Sequence, residues 1–241
     1  MIAEYRHECS KGTRGLASTL VRHCSEPDFE LPIMAETVLP KKWSHAPDER
    51  SDVAEAHDAL RGHLEGFFRG HRVDCLPGVV GPVGERLPGF RIFRIGPGPR
   101  FGGWTYVSSG CATVASAEGH GLEFVLTART DDWQHLESMT MSAYYHAGPS
   151  EQRLDHGHVV PIGRPWFTGS SCDRYLVSLP YPFGPDFEVW AWDGGHARIL
   201  WLLPITPAER DLVMDVGLEA LESLFEERQV DYIDPHRPSV A

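Results

Sequence analysis

From Cys75 to Gly103 the chain reads CLPGVVGPVGERLPGFRIFRIGPGPRFGG, and glycine and proline recur there too often for a long regular element. Each proline removes a backbone donor and fixes φ, while each glycine favours a turn. Whatever fold forms must therefore be assembled from short strands joined by tight turns. FRIFRI alternates as a half-buried strand does, and WTYVSS and LEFVLTAR follow as two more, the last with Leu122, Phe124, Leu126 and Ala128 on one face. HGHVVPIG, RYLVSL, FEVWAW and ARILWLL are further strand candidates, and the DGGH turn between the last two suits a hairpin.

Helical spacing appears in three places. Val53, Ala56, Leu60, Leu64 and Phe67 form one stripe that ends at Gly70. Trp133, Leu136, Thr140 and Tyr144 form a second, with Thr130 and Asp131 as candidate N-caps. The third, ITPAERDLVMDVGLEALESLFEER, reads as one helix: Thr206 caps it, Pro207 occupies its first position and Glu209 completes a capping box. Its buried stripe is Val213, Val216, Ala220, Leu221, Leu224 and Phe225, and Glu209, Asp211, Asp215, Glu219, Glu222, Glu226 and Glu227 populate the remaining surface. Helices among hairpin-like strands without regular βαβ alternation predict an α+β domain with a mixed, largely antiparallel sheet.

At 241 residues and 41% hydrophobic content the chain can bury one sizeable core. Residues 1–44 lack sustained periodicity and read as an N-terminal extension, flexible or docked, ahead of a domain spanning 45–241. No apolar run approaches the length of a membrane span, and the N-terminus lacks the order of a signal peptide, so the expected location is the cytoplasm. Five scattered cysteines, Cys9, Cys24, Cys75, Cys111 and Cys172, with no C-x2-C pair, suit free thiols in a reducing compartment. A net charge of -12 disfavours nucleic acid and anionic membrane and favours a basic protein partner.

Catalytic patterns are weak. VSSG and TGSSCD offer hydroxyls without a nucleophile elbow, and the prolines of GPGPRFGG remove the N–H donors a phosphate cradle needs. Asp155, His156 and His158 could serve a metal-dependent hydrolase, joined by Asp231, Asp234 and His236, which fall within six positions of the tail. The prolines around that tail, Pro235 and Pro238, favour an extended path instead, with Asp234 and His236 bonding locally at a turn and Tyr232 and Ile233 anchoring it to the sheet. FEVWAW places Phe187, Val189 and Ala191 on one face and Glu188, Trp190 and Trp192 on the other, which fits a central strand covered on both sides or an exposed aromatic surface. No cofactor is expected.

GWTYVSSG, GLEFVLTAR with the Trp133 helix, HGHVV, LPYPFGPDFEVW, RILWLLPITPAERDL and DYIDPHRPSV, in that order over residues 50–241, resemble the suppressor-of-fused (SUFU) domain in its single-domain bacterial form. The resemblance implies a mixed-sheet domain without catalytic activity that binds proteins. In two-domain eukaryotic members it implies a partner peptide held as an added strand between the halves, and in bacterial members an immunity protein that neutralises the toxin domain of a polymorphic toxin system. Carried over onto this chain, it gives Trp104 and Tyr106 as partner-contact positions. The acidic loop that follows them in the family is reduced here to Glu118. Joined with the acids of the last helix, Glu219, Glu222 and Glu226, these residues form the expected contact surface for a basic toxin domain. A regulatory subunit with an unrelated protein partner is the other binding alternative.

Overall fold

In the computed structural model, which describes residues 49–78, 81–193 and 195–241, eight strands form one mixed sheet. The extension read for residues 1–44, with Cys9 and Cys24, lies outside the described residues. The strands are β1 (Val73–Pro77), β2 (Arg91–Ile95), β3 (Trp104–Ser109), β4 (Gly121–Ala128), β5 (Val159–Pro161), β6 (Arg174–Ser178), β7 (Val189–Trp192) and β8 (Gly195–Ile205). They run in the order β1-β2-β3-β4-β8-β6-β5, and β7 adds to β8 off that path. Only β4 and β8 pair in parallel among them, with Gly121 opposite Ala197 and Val125 opposite Trp201. The α+β class with a largely antiparallel mixed sheet is what the pattern predicted.

Strand alternation sends side chains to two cores. On β8, Ala197, Ile199, Trp201, Leu203 and Ile205 face one side, and Leu200 and Leu202 face the other. The first side is covered by α1 (Glu49–Phe67) through Leu60 and Leu64, by Phe183 and Phe187, and by α5 (Pro207–Asp215) and α6 (Leu218–Glu227) through Val213, Leu221 and Phe225. The second side holds Leu122, Phe124, Leu126 and Ala128 of β4, the face expected from alternation, under Met139 and Ala143 of α3 (Trp133–His146). Two one-turn helices, α2 (Val83–Arg86) and α4 (Pro185–Glu188), complete the set. No helix among the described residues is long and apolar enough to cross a membrane. Cys75, Cys111 and Cys172 are free thiols.

Three local expectations are corrected. On α3 the buried face is His135, Ser138, Met139, Thr140, Ser142, Ala143 and His146; of the expected stripe Thr140 is buried, Leu136 and Tyr144 are partly buried against the same core, and Trp133 is 60% exposed. The buried face is rich in polar residues, so the apolar positions marked only its edge and Trp133 falls outside it. Its cap is Asp132, whose side chain accepts from the Gln134 N–H at 2.8 Å, in place of Thr130 or Asp131. In FEVWAW, Phe187 and Glu188 belong to α4, opened by Gly184 and Pro185, and only the last four residues are strand. There Trp190 is buried while Val189 and Ala191 face outward, so β7 is covered on one side only, with Trp190 and Trp192 stacked at 4.7 Å.

The long C-terminal helix is two helices. The capping box of Thr206 and Glu209 forms as read, but α5 ends at Asp215 and α6 begins at Leu218. Gly217 between them has φ +114, and its N–H and that of Val216 both bond to the Leu212 carbonyl. Val216, assigned to the core, is therefore turned out and 69% exposed. A Cβ at Gly217 would meet nothing within 4 Å, so Gly217→Ala costs only backbone strain, about 1–3 kcal/mol. A urea midpoint that does not fall would mean a continuous helix in solution.

Candidate partner-binding surface

On β3 Trp104 and Tyr106 point to the same face of the sheet, Tyr106 within its core and Trp104 at the strand's end, on the rim of that core. Trp104 is half-buried, with the Arg94 guanidinium 5.6 Å from its ring centre. Arg94 is itself fixed by Asp74 at 3.0 Å and Asp131 at 2.8 Å. Tyr106 is fully buried, and its hydroxyl donates to Asp131 at 2.6 Å. Burial and the Asp131 charge push the phenol far above its ordinary pKa. Tyr106 is thus a core residue and leaves the expected contact surface, while Trp104 keeps an accessible edge.

The acids of α6 divide in the same way. Glu219 and Glu226 are exposed, but Glu222 is 3% exposed and accepts from the Tyr181 hydroxyl at 2.5 Å. Glu222 therefore ties α6 to the turn that follows β6 and does not face a partner. Val216, which sequence reasoning placed in the core, stands out between the exposed Asp215 and Glu219 at the α5–α6 corner. The glycine that follows it was the available signal. Trp104 packs against the core on the α3 side of the sheet and α6 against the core on the other, so the expected surface separates into two patches. Glu118 lies exposed on the turn before β4.

The candidate catalytic groups do not assemble as imagined. His57 on α1 hydrogen-bonds the Ser109 hydroxyl, yet Ser109 is 1% exposed. The N–H groups of Gly110 and Ala112, which could have formed an oxyanion hole, donate instead to the buried Glu123 at 2.8 and 3.0 Å. Ser108 donates to the same carboxylate at 2.5 Å. In TGSSCD, the Ser170 hydroxyl accepts from the Cys172 N–H. These serines are structural.

Asp155, His156 and His158 lie together in sequence but diverge. Burial lowers the His156 pKa, and the charges acting on the ring are those of Glu222, Arg198, Asp155 and Glu188. The His158 ring instead accepts from the Asp155 N–H at 3.2 Å. In the tail, Asp231 pairs with Arg129, and Asp234 accepts from the His236 N–H at 2.9 Å, the local turn bond expected. Tyr232 packs edge-on against Trp201 and Phe225. What the structure brings together instead is Glu118, His120 and Asp155, whose ligand atoms lie within 4.8 Å of one another. Asp155 is almost fully buried. Burial opposes its charge, but the Ser116 hydroxyl and the N–H groups of His156 and Glu118 hold its carboxyl below the usual range.

The same segments carry the likeness to known proteins. The family model described as suppressor of fused protein (SUFU) matches residues 86–238. A SUFU homologue from Neisseria gonorrhoeae, solved by crystallography, is 32% identical, with a TM-score of 0.69 over 78% of this chain and 98% of that one. The Sufu–Fu complex structure contains a chain 13% identical, with a TM-score of 0.60 over 77% of this chain and 92% of that one. Suppressor of Fused from Drosophila is 12% identical, with a TM-score of 0.55 over 77% of this chain and 51% of that one. These last two share the fold alone. No curated protein matches the chain.

Proposed function

The chain belongs to the suppressor of fused (SUFU) family, and from that premise we propose that it is a non-catalytic protein-binding domain whose partner is a basic protein, in the manner of an immunity protein holding a toxin domain. That a distant relative of this fold was solved as the Sufu–Fu complex supports protein binding as the working mode. The net charge of -12 supports a basic partner, because opposite charge steers encounter and raises the association rate.

The observation that carries the surface is the α5–α6 corner. An apolar side chain standing clear of the fold between two carboxylates, with Glu226 further along α6, combines a knob that a partner pocket can desolvate with an acidic rim. Trp104 on the opposite side of the sheet is a second, separate contact position.

The test is co-expression with a basic toxin domain encoded beside this gene. The chain should restore growth and form a complex, and Glu219→Lys with Glu226→Lys should weaken it on the order of tenfold, chiefly through slower, less salt-dependent association. Both residues are exposed, so folding is kept. Failure to restore growth sinks the toxin reading, and unchanged affinity and salt dependence in the double variant sink the acidic surface.

A further inference from the structure

The geometry points to a divalent transition-metal site formed by Glu118 and His120, on the turn that leads into β4, with Asp155 from the loop before β5. It does not depend on the protein-binding reading above. His120 Nε2 and Asp155 Oδ2 are 3.7 Å apart. Zinc bonds of about 2.0–2.2 Å in tetrahedral geometry put neighbouring ligand atoms roughly 3.3–3.6 Å apart. One edge of the coordination polyhedron is therefore nearly formed, and the exposed Glu118 carboxylate completes the triangle by a small side-chain movement.

The orientation of the deepest ligand is set by the backbone. Asp155 Oδ1 accepts from the His156 N–H at 2.8 Å and Oδ2 from the Glu118 N–H at 3.1 Å. His158 accepts from the Asp155 N–H in turn. Such outer bonds fix a ligand's direction before metal arrives. The turn does not require the Glu118 or His120 side chain, since Ser116 N–H bonds to the His120 carbonyl at 2.8 Å and Gly119 N–H to the Ser116 carbonyl at 3.0 Å.

Charge argues the same way. Asp155 is 2% exposed, and among the described residues its ion-pair contact is His120 alone, with no arginine or lysine. Hydrogen bonds from the Ser116 hydroxyl and the His156 and Glu118 N–H groups support that carboxylate without cancelling its charge, and with Glu118 beside it the pair attracts a cation. His120 Nε2 is shielded from solvent and has no hydrogen-bond partner, which leaves a lone pair for a metal in the appropriate tautomer. One imidazole with two carboxylates suits zinc or a neighbouring transition ion better than magnesium or calcium, and three protein ligands leave a position for water or a partner's side chain.

The experiment titrates the full chain with Zn2+ at pH 7.5 by calorimetry, with thermal melts of the same samples. One-to-one binding and a raised melting temperature are expected. Glu118→Gln and His120→Asn should each weaken binding about tenfold or more, while the metal-free melting temperature stays within about 1–2 °C. Asp155→Asn is the poorer probe, because that carboxylate also holds two backbone N–H groups. Absent stoichiometric binding, or binding equally tight in both variants, overturns the site. A Ca2+ shift as large as that of Zn2+ overturns the role of the imidazole.

Discussion

Arg237→Ala should lower unfolding free energy by about 3–5 kcal/mol, one of the largest losses expected from any single side chain here. Arg237 is 4% exposed and Glu209 fully buried. The guanidinium donates to both carboxylate oxygens at 2.6 Å and to the Pro204 carbonyl at 2.9 Å. The same carboxylate accepts from the N–H groups of Thr206 and Val240 at 2.9 and 3.1 Å. One ion pair therefore clamps the end of β8, the start of α5 and the C-terminal tail. Burial alone would raise the Glu209 pKa, but the Arg237 hydrogen bonds and charge outweigh it and hold the carboxyl below its usual range.

Removing the arginine leaves that charge buried without a counter-ion. Glu209→Gln in the Arg237→Met background should recover part of the loss, because no charge then remains to be desolvated. Urea denaturation followed by tryptophan fluorescence measures both. A loss under about 1 kcal/mol for Arg237→Ala would mean that water reaches Glu209 and that the clamp is loose.

The clamp also shows where sequence reading works and where it stops. The capping box at Thr206 and Glu209 was legible because its two bonds are local. That Glu209 also takes a partner 28 residues away was not, so an acid assigned to the solvent face lies at the centre of the tail's attachment. The strands were legible from period-two alternation and turn residues, most cleanly in β4, where every second apolar residue entered one core. On α3 the stripe was legible only in part: Thr140 is buried as expected and Leu136 and Tyr144 border the core, but His135, Ser138, Ser142 and His146 are also buried and Trp133 is not. A helix covering a sheet can bury polar side chains that find local bonds, as Thr140 does with the Leu136 carbonyl. The contact surface suffered from the same limit. Glu222 and Glu226 share a helix face in sequence, but only the structure reveals that Tyr181 waits beneath one of them. Glu118 and His120 are separated from Asp155 by β4 and α3 in the chain and meet it only through the tertiary fold.

Two of those buried histidines should make the protein acid-labile well above the range where carboxylates protonate. His135 packs against Tyr106, Trp166 and Phe167, and burial lowers its pKa to about 4. His146 is fully buried, stands edge-on to Phe124 at 5.4 Å and accepts from the Leu154 N–H; burial lowers it to about 4 as well. Unfolding restores each ring to its ordinary value of 6.5. Between pH 6.5 and 4 the unfolded chain then binds protons that the folded chain refuses, so stability is full above pH 6.5 and falls as the pH drops, levelling off below 4. At about 1.4 kcal/mol per pH unit, each ring should remove about 2–3 kcal/mol between pH 7 and 4.5. His57, His63 and His156, whose values burial also lowers, act in the same direction. Glu209 contributes in a separate window, since its lowered carboxyl stabilises above the unfolded value and yields only as the pH falls below it. Urea titrations at pH 7, 6, 5 and 4.5 should give a smaller loss for His135→Phe than for the parent chain, by about 2–3 kcal/mol over that span. His146→Gln, which keeps an acceptor for Leu154, should reduce it by a similar amount. If both variants kept the parent's pH dependence, these rings would already be protonated in the folded state, and the acid sensitivity would have to reside in the carboxylates.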